Sequence, residues 1–263
     1  MINPSYHSGI KPIFCLIFFC LFALVLRCQT IHYTTQNAHS HNDYEQKIPY
    51  WMAYDKGFGS IEADIFLRES ELIVAHDEKE LKYNRSFRKL YLENIDSCIH
   101  KNNGYPYKDS SRYLQLLIDI KTDSVTTLDT LMHLLEQFPA LIHNRHIFLV
   151  ITGNRPNPDS FSHYPDYIWF DGVLSRAYTK DQLRKIKMMS DDFHHFSQWH
   201  GDGPIPVEDF GKLRVLVAKA HEDHIPVRFW NAPDFSNAWT QLIKLQVDFI
   251  NTDHIDALAN YLH

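Results

Sequence analysis

The chain of 263 residues has only four cysteines, and most of them lie at one end. Cys15, Cys20 and Cys28 fall in the amino-terminal segment, which leaves Cys98 as the single cysteine of the remaining chain. One thiol has no partner for an intramolecular disulfide and is too few for a cysteine-based zinc cluster. The body of the protein must therefore be stabilised by its hydrophobic core.

The sequence also lacks a basic excess and a dinucleotide-binding glycine motif. Its formal net charge of -6 argues against a nucleic-acid backbone as partner. No Gly-x-Gly-x-x-Gly segment follows the first predicted strand, which weakens a dinucleotide-binding interpretation. With 44% hydrophobic and 22% charged residues, the composition is that of a globular enzyme and excludes a disordered or fibrous chain.

The amino-terminal segment has the pattern of an export signal. Lys11 precedes an uncharged apolar run from Pro12 to Leu26, and Arg27 follows it. This run is shorter than the roughly 20 residues of a membrane-spanning helix and matches a signal-peptide core. We therefore expect a signal peptide over residues 1–28, a mature domain over residues 29–263, and export to the periplasm, the exterior or the outer surface. An uncleaved anchor and a lipid on Cys28 are the alternatives, although Arg27 fits a lipoprotein signal poorly.

Short apolar runs alternate with amphipathic stretches after about residue 33. The runs rich in branched or aromatic residues are predicted as buried parallel strands at 61–67, 72–75, 114–120, 147–151, 167–170, 227–230 and 247–250. Helices are predicted at 124–138, with Ser124 as the cap, at 207–223, and at 234–245, with Asp234 as the start. This alternation predicts a parallel α/β fold.

Polar residues at the carboxyl ends of the predicted strands favour a single TIM-type (β/α)8 barrel over an open sheet. The segments at these ends are Asp119-Ile120-Lys121, Gly153-Asn154-Arg155, Trp230-Asn231 and Asn251-Thr252-Asp253. The carboxyl ends of the strands form the catalytic face of a TIM barrel. The chain length also suits one such barrel, which needs roughly 250 residues.

Glu62 and Asp64 are two residues apart on a predicted buried strand, so their side chains point to the same face. Two buried carboxylates on one face repel each other and lose hydration. A divalent cation offsets both effects, and Mg²⁺ or Ca²⁺ prefers oxygen ligands of this kind. The alternative is an edge strand with a solvated face, but Ile61, Ala63 and Ile65 have the character of buried residues.

Further polar pairs follow the next strands. His76 follows the 72–75 run, and Asp77 beside it could orient the imidazole ring through a hydrogen bond. Asp119 and Lys121 repeat the same-face spacing, which suggests a further metal ligand and a cation that offsets the charge of a bound phosphate. Taken singly, a salt bridge between neighbouring strands explains the second pair equally well.

Together these segments resemble the ordered active site of the phospholipase C-like phosphodiesterases. The segment 40–44, Ser-His-Asn-Asp-Tyr, is similar to the Ser-His-Asn-x-Tyr segment of calcium-dependent phosphoinositide phospholipases. Glu62-x-Asp64, His76-Asp77 and Asp119-x-Lys121 resemble segments of glycerophosphodiester phosphodiesterases, as does the late Thr252-Asp253. The resemblance extends from about residue 37 to the carboxyl terminus. It is closest to a bacterial and fungal branch that carries His-Ser-His-Asn-Asp-Tyr.

The resemblance implies a metal-dependent phosphoric diester hydrolase with two histidines as general acid and base. His41 and His76 would be this pair, Lys121 would act beside them, and the ligands of one Mg²⁺ or Ca²⁺ ion would be Glu62, Asp64, Asp119 and Asn42. His39 stands two residues before His41 and is an alternative first histidine. The substrate would be a glycerophosphodiester or a phospholipid-type diester, and membrane contact would come through the substrate or the amino-terminal segment.

Two other functions remain open at this point. His39-x-His41 also resembles the start of an amidohydrolase zinc site, although the Glu62/Asp64 pair favours a harder cation than zinc. A barrel that binds without turning over substrate is the second alternative. Outside the main motifs, Arg155 could contact a phosphate, and Trp199 and Trp230 could line the substrate pocket.

Overall fold

The structure, a computed structural model, describes residue 1 and residues 32–263. The predicted signal peptide, with Cys15, Cys20 and Cys28, falls outside the described residues apart from Met1. His32–His263 form one compact unit that contains all the elements given below. Within residues 32–263, no helix is both long and apolar enough to cross a bilayer.

The described residues form ten strands and eight α-helices, with short 3-10 and π-helical turns between them. The strands are β1 (Ala38–Ser40), β2 (Ser60–Arg68), β3 (Glu71–Val74), β4 (Arg85–Ser86), β5 (Leu114–Ile120), β6 (Ile147–Gly153), β7 (Ile168–Val173), β8 (Ile186–Asp192), β9 (Val227–Trp230) and β10 (Ile250–Thr252). The helices are α1 (Trp51–Asp55), α2 (Glu93–Lys101), α3 (Ser124–Leu135), α4 (Pro139–Ile142), α5 (Lys180–Leu183), α6 (Val207–Glu222), α7 (Ser236–Lys244) and α8 (Ile255–Leu262).

Eight of these strands make the parallel wall of a barrel. They lie side by side in the order β10-β1-β2-β5-β6-β7-β8-β9. The circle is completed by one parallel bridge, between Arg228 of β9 and Phe249 just before β10. At the same edge, Val227 O accepts hydrogen bonds from the N–H groups of Asp248 and Phe249. The predicted α/β barrel is confirmed, with its shortest ladder at the point of closure.

The prediction of a parallel strand at 72–75 was wrong. β3 pairs with β2 in antiparallel fashion and continues to β4, so it lies outside the eight-strand wall. The reversal occurs at Glu69 and Ser70, which both have positive φ, as a tight hairpin turn requires. Glu-Ser lacks the glycine or asparagine that usually marks such a turn, so the turn was not predicted.

Two wall strands were not predicted, and several predicted boundaries shift. β1 has only three residues, and β8 carries Lys187, Met188 and Met189 instead of a branched apolar run. β10 begins at residue 250, three residues later than expected. α3 is capped by the side chain of Asp123 and not by Ser124, which is its first helical residue. α7 begins at residue 236, because the carboxylate of Asp234 instead accepts hydrogen bonds from Thr252, Asp253 and Trp239.

Alternation along the strands separates an outer core from a barrel interior. The outer core fills the space between sheet and helices and contains Ile61, Ala63 and Ile65 of β2. Side chains on the other face of the strands form a separate apolar cluster, whose buried members are Leu117, Val150, Met188 and Phe249. Two residues further along each of β5, β6, β8 and β10 come Asp119, Thr152, Ser190 and Asn251. The barrel interior is therefore apolar below and polar at the carboxyl ends of the strands.

The loop that follows β1 is fixed by a buried carboxylate. Asp43 accepts hydrogen bonds from Ser40 Oγ at 2.8 Å, from Tyr91 Oη at 3.1 Å and from the Tyr50 N–H at 2.5 Å. Asn42 and Tyr50 have positive φ values of 43° and 65°, which side-chain-bearing residues rarely adopt. Burial raises the pKa of Asp43 to about 6, although these hydrogen bonds oppose the shift. The loop therefore has one defined shape, with His41 and Asn42 at its start.

Gly153, the last residue of β6, is required by a close contact with Asp119. Its φ is +68°, and a Cβ at this position would lie 1.9 Å from Asp119 Oδ1 and 2.7 Å from the Ile120 carbonyl oxygen. Asp119 and Thr152 are register partners on β5 and β6, so the strands themselves bring this carboxylate against the glycine. Only a residue without a side chain leaves Asp119 its place at the barrel mouth.

We predict that Gly153→Ala displaces Asp119 and lowers the free energy of unfolding by about 2–4 kcal/mol, since backbone strain and a backbone clash add. Gly203→Ala is the matched control, because Gly203 has a similar φ of +61° but open space where the Cβ would be. The free energy of unfolding of this variant should fall only by the cost of backbone strain, about 1–2 kcal/mol. Equal losses for the two variants in urea unfolding would contradict the steric role of Gly153.

Candidate active site

A polar cleft opens at the carboxyl ends of the barrel strands. It has a volume of about 500 Å³. Eight of the ten residues predicted for the site line it: His41, Asn42, Glu62, His76, Asp119, Lys121, Arg155 and Trp230. The other two, Asp64 and His39, are fully buried next to it. Thr152, Asp171, Ser190, Asp191, His195 and Arg228 complete the polar lining.

Glu62, Asp64 and Asp119 form one acidic cluster. One oxygen of each carboxylate lies within 4.8 Å of the other two. Glu62 and Asp64 come from alternate positions of β2, and Asp119 is the register partner of Asp64 on β5. This pairing of neighbouring strands is why three acids from two segments of the sequence share one position at the barrel mouth.

Each of these carboxylates has one oxygen bound to a cation and one without a hydrogen bond. Lys121 Nζ lies 2.9 Å from both Asp64 Oδ2 and Asp119 Oδ2, and Arg228 donates to Glu62 Oε2 at 2.6 Å. Asp64 Oδ1 and Asp119 Oδ1 are buried and have no partner, and Glu62 Oε1 accepts no hydrogen bond from the described residues. Buried oxygens of this kind are costly unless a donor or a cation is nearby.

The pKa shifts of the three carboxyl groups also indicate that the negative charge of the cluster is only partly neutralised. Burial, together with the charges of Glu62 and Asp119, raises the pKa of Asp64 to about 7. Burial also raises the pKa of Asp119, although Lys121 opposes the shift. Burial acts in the same direction on Glu62, but there the Arg228 guanidinium and the hydrogen bond from His39 prevail and hold the pKa well below its usual range. One arginine and one lysine therefore do not balance the three acids of the cluster, of which Glu62 and Asp64 are buried and Asp119 is partly buried.

The donor set fits a hard divalent cation. It consists of carboxylate oxygens only, three residues supply them, and two buried oxygens are left without partners. Mg²⁺ and Ca²⁺ bind through oxygen ligands of this kind. Glu62, Asp64 and Asp119 are the residues that would hold the ion, and the side chain of Asn42 lies at the edge of the same cleft.

His39 is not at the cleft surface. Its ring is fully buried, with Nδ1 2.7 Å from Ser60 Oγ and Nε2 2.7 Å from Glu62 Oε2. Burial and the neighbouring Arg228 lower its pKa to about 4, so the ring is neutral at physiological pH. Both ring nitrogens are engaged, which leaves His39 no free nitrogen for a substrate or a zinc ion. The structure thus separates the two histidines that the zinc amidohydrolase alternative needs together.

His41 faces the cleft and is held from behind by Asp253. Its Nδ1 lies 2.8 Å from Asp253 Oδ1, and its side chain is 28% exposed. Burial alone would lower the pKa of His41, but the hydrogen bond with Asp253 and the charge of Glu62 raise it. The same contact lowers the pKa of Asp253. Nε2 makes no hydrogen bond within residues 32–263 and is the ring atom available for proton transfer.

His76 lines the same cleft and belongs to the segment after β3. Its Nδ1 is 3.3 Å from Tyr44 Oη and 3.7 Å from Asp64 Oδ2, and its side chain is 56% exposed. The expectation that Asp77 orients this ring was wrong, because Asp77 caps the following 3-10 helix through the N–H groups of Lys79 and Glu80. Tyr44, from the loop after β1, takes that position instead.

The remaining predicted residues differ in their surroundings. Asn42 Oδ1 lies 3.0 Å from Tyr44 Oη. Arg155 donates to Thr152 Oγ1 at 3.1 Å and lies 3.6 Å from the buried Asp171 carboxylate. Trp230 is 38% exposed at the end of β9. Trp199 does not line the cleft: it is buried, and its indole donates to the Asp202 carbonyl.

Sequence reasoning did not identify Arg228, Tyr44 and Asp171 as site residues. Arg228 stands inside the predicted strand 227–230, the same signal that identified Glu62, so a search for every charge on a predicted strand would have found it. Asp171 directly follows the predicted strand 167–170 and was missed because β7 continues to Val173. Tyr44 belongs to the recognised segment 40–44, but a tyrosine carries no comparable charge signal. Asp253 was noted as part of the late Thr-Asp segment, and only the closed barrel shows its contact with His41.

Comparison with protein families identifies two matching domains. Residues 29–158 match the AIM6-like phosphodiesterase domain. Residues 226–256 match the glycerophosphoryl diester phosphodiesterase family. The two matches include the segments that supply His41, Glu62, Asp64, His76, Asp119 and Asp253.

Two fungal proteins are similar over most of this chain. Altered inheritance of mitochondria protein 6 of Eremothecium gossypii is 26% identical over 275 residues, which cover 85% of this chain and 68% of that protein. A homologue of that protein from Arthroderma benhamiae is 25% identical over 267 residues, which cover 85% and 82%.

Two solved structures share the fold. A glycerophosphodiester phosphodiesterase of Parabacteroides distasonis superposes with a TM-score of 0.55 at 10% identity, over 86% of this chain and 96% of that one. A putative glycerophosphoryl diester phosphodiesterase of Agrobacterium tumefaciens gives 0.50 at 12% identity, with the same coverage. At these identities the likeness concerns the barrel fold alone.

We predict that Mg²⁺ or Ca²⁺ stabilises the protein through the acidic cluster. A cation at 100 times its Kd should raise the free energy of unfolding by about 2.7 kcal/mol at pH 7.5. Asp64→Asn should weaken this gain, whereas Asp55→Asn, an exposed acid outside the cleft, should retain it. An equal cation effect in wild type and Asp64→Asn would exclude the cluster as the binding site.

The cluster should also be visible in the pH dependence of metal-free stability. The pKa of folded Asp64 is near 7 against an ordinary value of 3.8, so the folded state binds more protons between these values. Its contribution to stability therefore falls as pH rises from 4 to 8. Because His39 acts in the opposite direction, the quantity to measure is wild type minus Asp64→Asn in EDTA. Asp64→Asn should gain on wild type as pH rises, and a constant difference would contradict the raised pKa.

Proposed function

Since the chain belongs to the phospholipase C-like phosphodiesterase superfamily, which includes the glycerophosphodiester phosphodiesterases, we propose that it is a metal-dependent phosphoric diester hydrolase. The observation that carries the proposal is the acidic cluster in one cleft with His41 and His76. Within residues 32–263, two buried oxygens of the cluster have no partner and neither histidine uses Nε2 in a hydrogen bond. A single cleft thus combines a cation site with two groups able to transfer protons.

In the proposed reaction, side chains of the protein orient the catalytic groups beside a phosphodiester and transfer protons to and from it. His41 and His76 act through Nε2, one as base toward the attacking hydroxyl and the other as acid toward the leaving oxygen. Asp253 keeps the Nδ1 side of His41 occupied and so fixes the ring orientation. A bound cation would polarise the phosphoryl oxygen and stabilise charge that develops there.

Cations of the protein itself also suit an anionic substrate. Lys121 is held between Asp64 and Asp119 at the cleft surface. Burial lowers the pKa of Lys121, but the charges of these two acids outweigh that effect, raise the pKa and keep the ammonium charged. Arg155 lines the same cleft, and a guanidinium matches the geometry of phosphate oxygens. Trp230 offers an apolar surface beside them. We propose a glycerophosphodiester or phospholipid-type diester as the substrate.

The test is hydrolysis of bis(p-nitrophenyl) phosphate and of glycerophosphodiesters by residues 29–263, with EDTA, Mg²⁺, Ca²⁺ or Zn²⁺. Activity should require Mg²⁺ or Ca²⁺, and His41→Ala, His76→Ala and Glu62→Ala should each lower kcat by at least about 100-fold. His100→Ala is the matched control, since His100 is exposed on α2 outside the cleft. A folded, cation-binding protein without turnover would favour the binding module, and turnover with zinc alone would favour amidohydrolase-like chemistry.

We also propose that the protein is exported and that its mature form begins near residue 29. The support is the uncharged run from Pro12 to Leu26 between Lys11 and Arg27. Expression of the full chain in a secreting host should give a protein outside the cytoplasm whose amino terminus, determined by mass spectrometry, lies close to Cys28. An intact Met1 on cytoplasmic protein would contradict export, and a lipid on Cys28 would identify the anchored form.

A further inference from the structure

Tyr44 connects the metal cluster to one of the two cleft histidines. Its residue surface is 2% exposed, and its hydroxyl contacts three side chains: Asp64 Oδ2 at 2.9 Å, Asn42 Oδ1 at 3.0 Å and His76 Nδ1 at 3.3 Å. No role is assigned to this residue by the reaction described above. Its position between a candidate metal ligand and a candidate proton-transfer group suggests one.

Because the Tyr44 hydroxyl has a single hydrogen, its hydrogen-bond partners determine which ring nitrogen of His76 carries a hydrogen. The phenol has one hydrogen to donate, and the carboxylate of Asp64, whose Oδ2 also lies 2.9 Å from Lys121 Nζ, is a stronger acceptor than the Asn42 amide when it is ionised. A phenol is protonated at neutral pH, so the hydroxyl has this hydrogen available. With its hydrogen directed to Asp64, the Tyr44 oxygen can only accept from His76. Nδ1 must then carry the hydrogen, which leaves the Nε2 lone pair toward the cleft.

Within residues 32–263, no other side-chain hydrogen bond holds the His76 ring. Asp77 is used as a helix cap, and the carboxylate of Asp64 is 3.7 Å from Nδ1, beyond a hydrogen bond. The His76 side chain is also 56% exposed, so packing restrains it little. Orientation of this ring therefore depends on the Tyr44 hydroxyl.

Arg85 holds Tyr44 and the His76 segment together. Its guanidinium lies 5.1 Å from the centroid of the Tyr44 ring and donates to the Tyr44 carbonyl at 3.2 Å. It also donates to Glu80 Oε2, which accepts a hydrogen bond from the His76 N–H at 3.2 Å. Arg85 thus links the loop after β1, which carries Tyr44, to the segment after β3, which carries His76, through both backbone and side-chain contacts.

We propose that Tyr44 is the positioning residue of His76, fixing the Nδ1–H tautomer and directing Nε2 into the cleft through an Asp64–Tyr44–His76 chain of hydrogen bonds. The inference rests on the proposed function, in which His76 transfers a proton, and extends it to a residue that touches neither substrate nor metal. His41 receives the same support directly from Asp253. The two histidines would therefore be oriented by the same principle, with a tyrosine interposed in one case.

The first test is independent of turnover. Long-range ¹⁵N–¹H correlation spectra of the imidazole rings distinguish the two neutral tautomers, and the signals of His76 are those missing from His76→Ala. In wild type at a pH where the ring is neutral, with and without Mg²⁺, Nδ1 of His76 should carry the hydrogen. Tyr44→Phe should shift the population toward Nε2–H, the form that exposed histidines favour. An Nε2–H tautomer in wild type would overturn the proposal even if the variant does not fold.

The second test uses the phosphodiesterase assay. Tyr44→Phe should lower kcat about 10- to 100-fold, the usual effect of losing a partner that orients an active-site group, with little change in KM. Tyr83→Phe is the matched control, because Tyr83 is 60% exposed and its hydroxyl makes no hydrogen bond within the described residues. In a His76→Ala background Tyr44→Phe should cause no further loss. A full additional loss there would show that Tyr44 acts elsewhere and would overturn the proposal.

The two tests separate this inference from the proposed function. If wild type hydrolyses no phosphodiester but His76 is the Nδ1–H tautomer and changes in Tyr44→Phe, the hydrolase proposal fails and the positioning role is supported. If wild type is active and Tyr44→Phe retains both its tautomer and its kcat, the hydrolase proposal is supported and the positioning role is excluded.

Discussion

Three carboxylates, two of them buried and one partly buried, lie together at one end of the barrel, and their charge must be offset by the residues around them. Parallel pairing of β2 with β5 sets Asp64 opposite Asp119, and the two-residue strand period adds Glu62 to the same interior. Removing these acids from water disfavours their charged forms, and their mutual repulsion adds to that effect. The neighbouring polar residues are arranged accordingly. Arg228 pairs with Glu62, Lys121 bridges Asp64 and Asp119, and the remaining oxygens suit a cation.

The same acids organise the groups that would transfer protons. Glu62 engages His39 and so keeps that ring inside the barrel wall, whereas Asp64 binds Tyr44 and through it reaches His76. His41 is the exception, because its supporting carboxylate, Asp253, comes from the end of the chain after β10. Barrel closure thus affects chemistry directly: the last strand must lie beside the first for His41 to be oriented. The loop that carries His41 is fixed separately, by the buried Asp43.

Much of this arrangement could be predicted because its signals are local. Charged residues spaced by two on apolar strands identified Glu62, Asp64, Asp119 and Lys121, and five of the eight wall strands were recognised close to their observed bounds. The failures have local causes too. β8 has Ile186 as its only branched residue, β1 is too short to show a period, and the Glu69-Ser70 hairpin turn has no typical turn residue. The mistaken role for Asp77 arose because adjacency in sequence was taken for contact, while the residue serves as a helix cap.

By itself the sequence determined the alternation that makes a parallel α/β barrel, the side of each strand on which the acids lie, and the resemblance to phosphodiesterases. These follow from short periodic patterns and local motifs, which can be recognised without any knowledge of long-range contacts. Long-range contacts were needed to establish that His41 and not His39 faces the cleft, that Arg228 neutralises Glu62, and that Tyr44 contacts His76. Those contacts join residues distant in the sequence, such as Glu62 and Arg228. Their geometry is set by strand register and barrel closure, because a hydrogen bond requires atoms about 3 Å apart and no pattern along the chain specifies that distance.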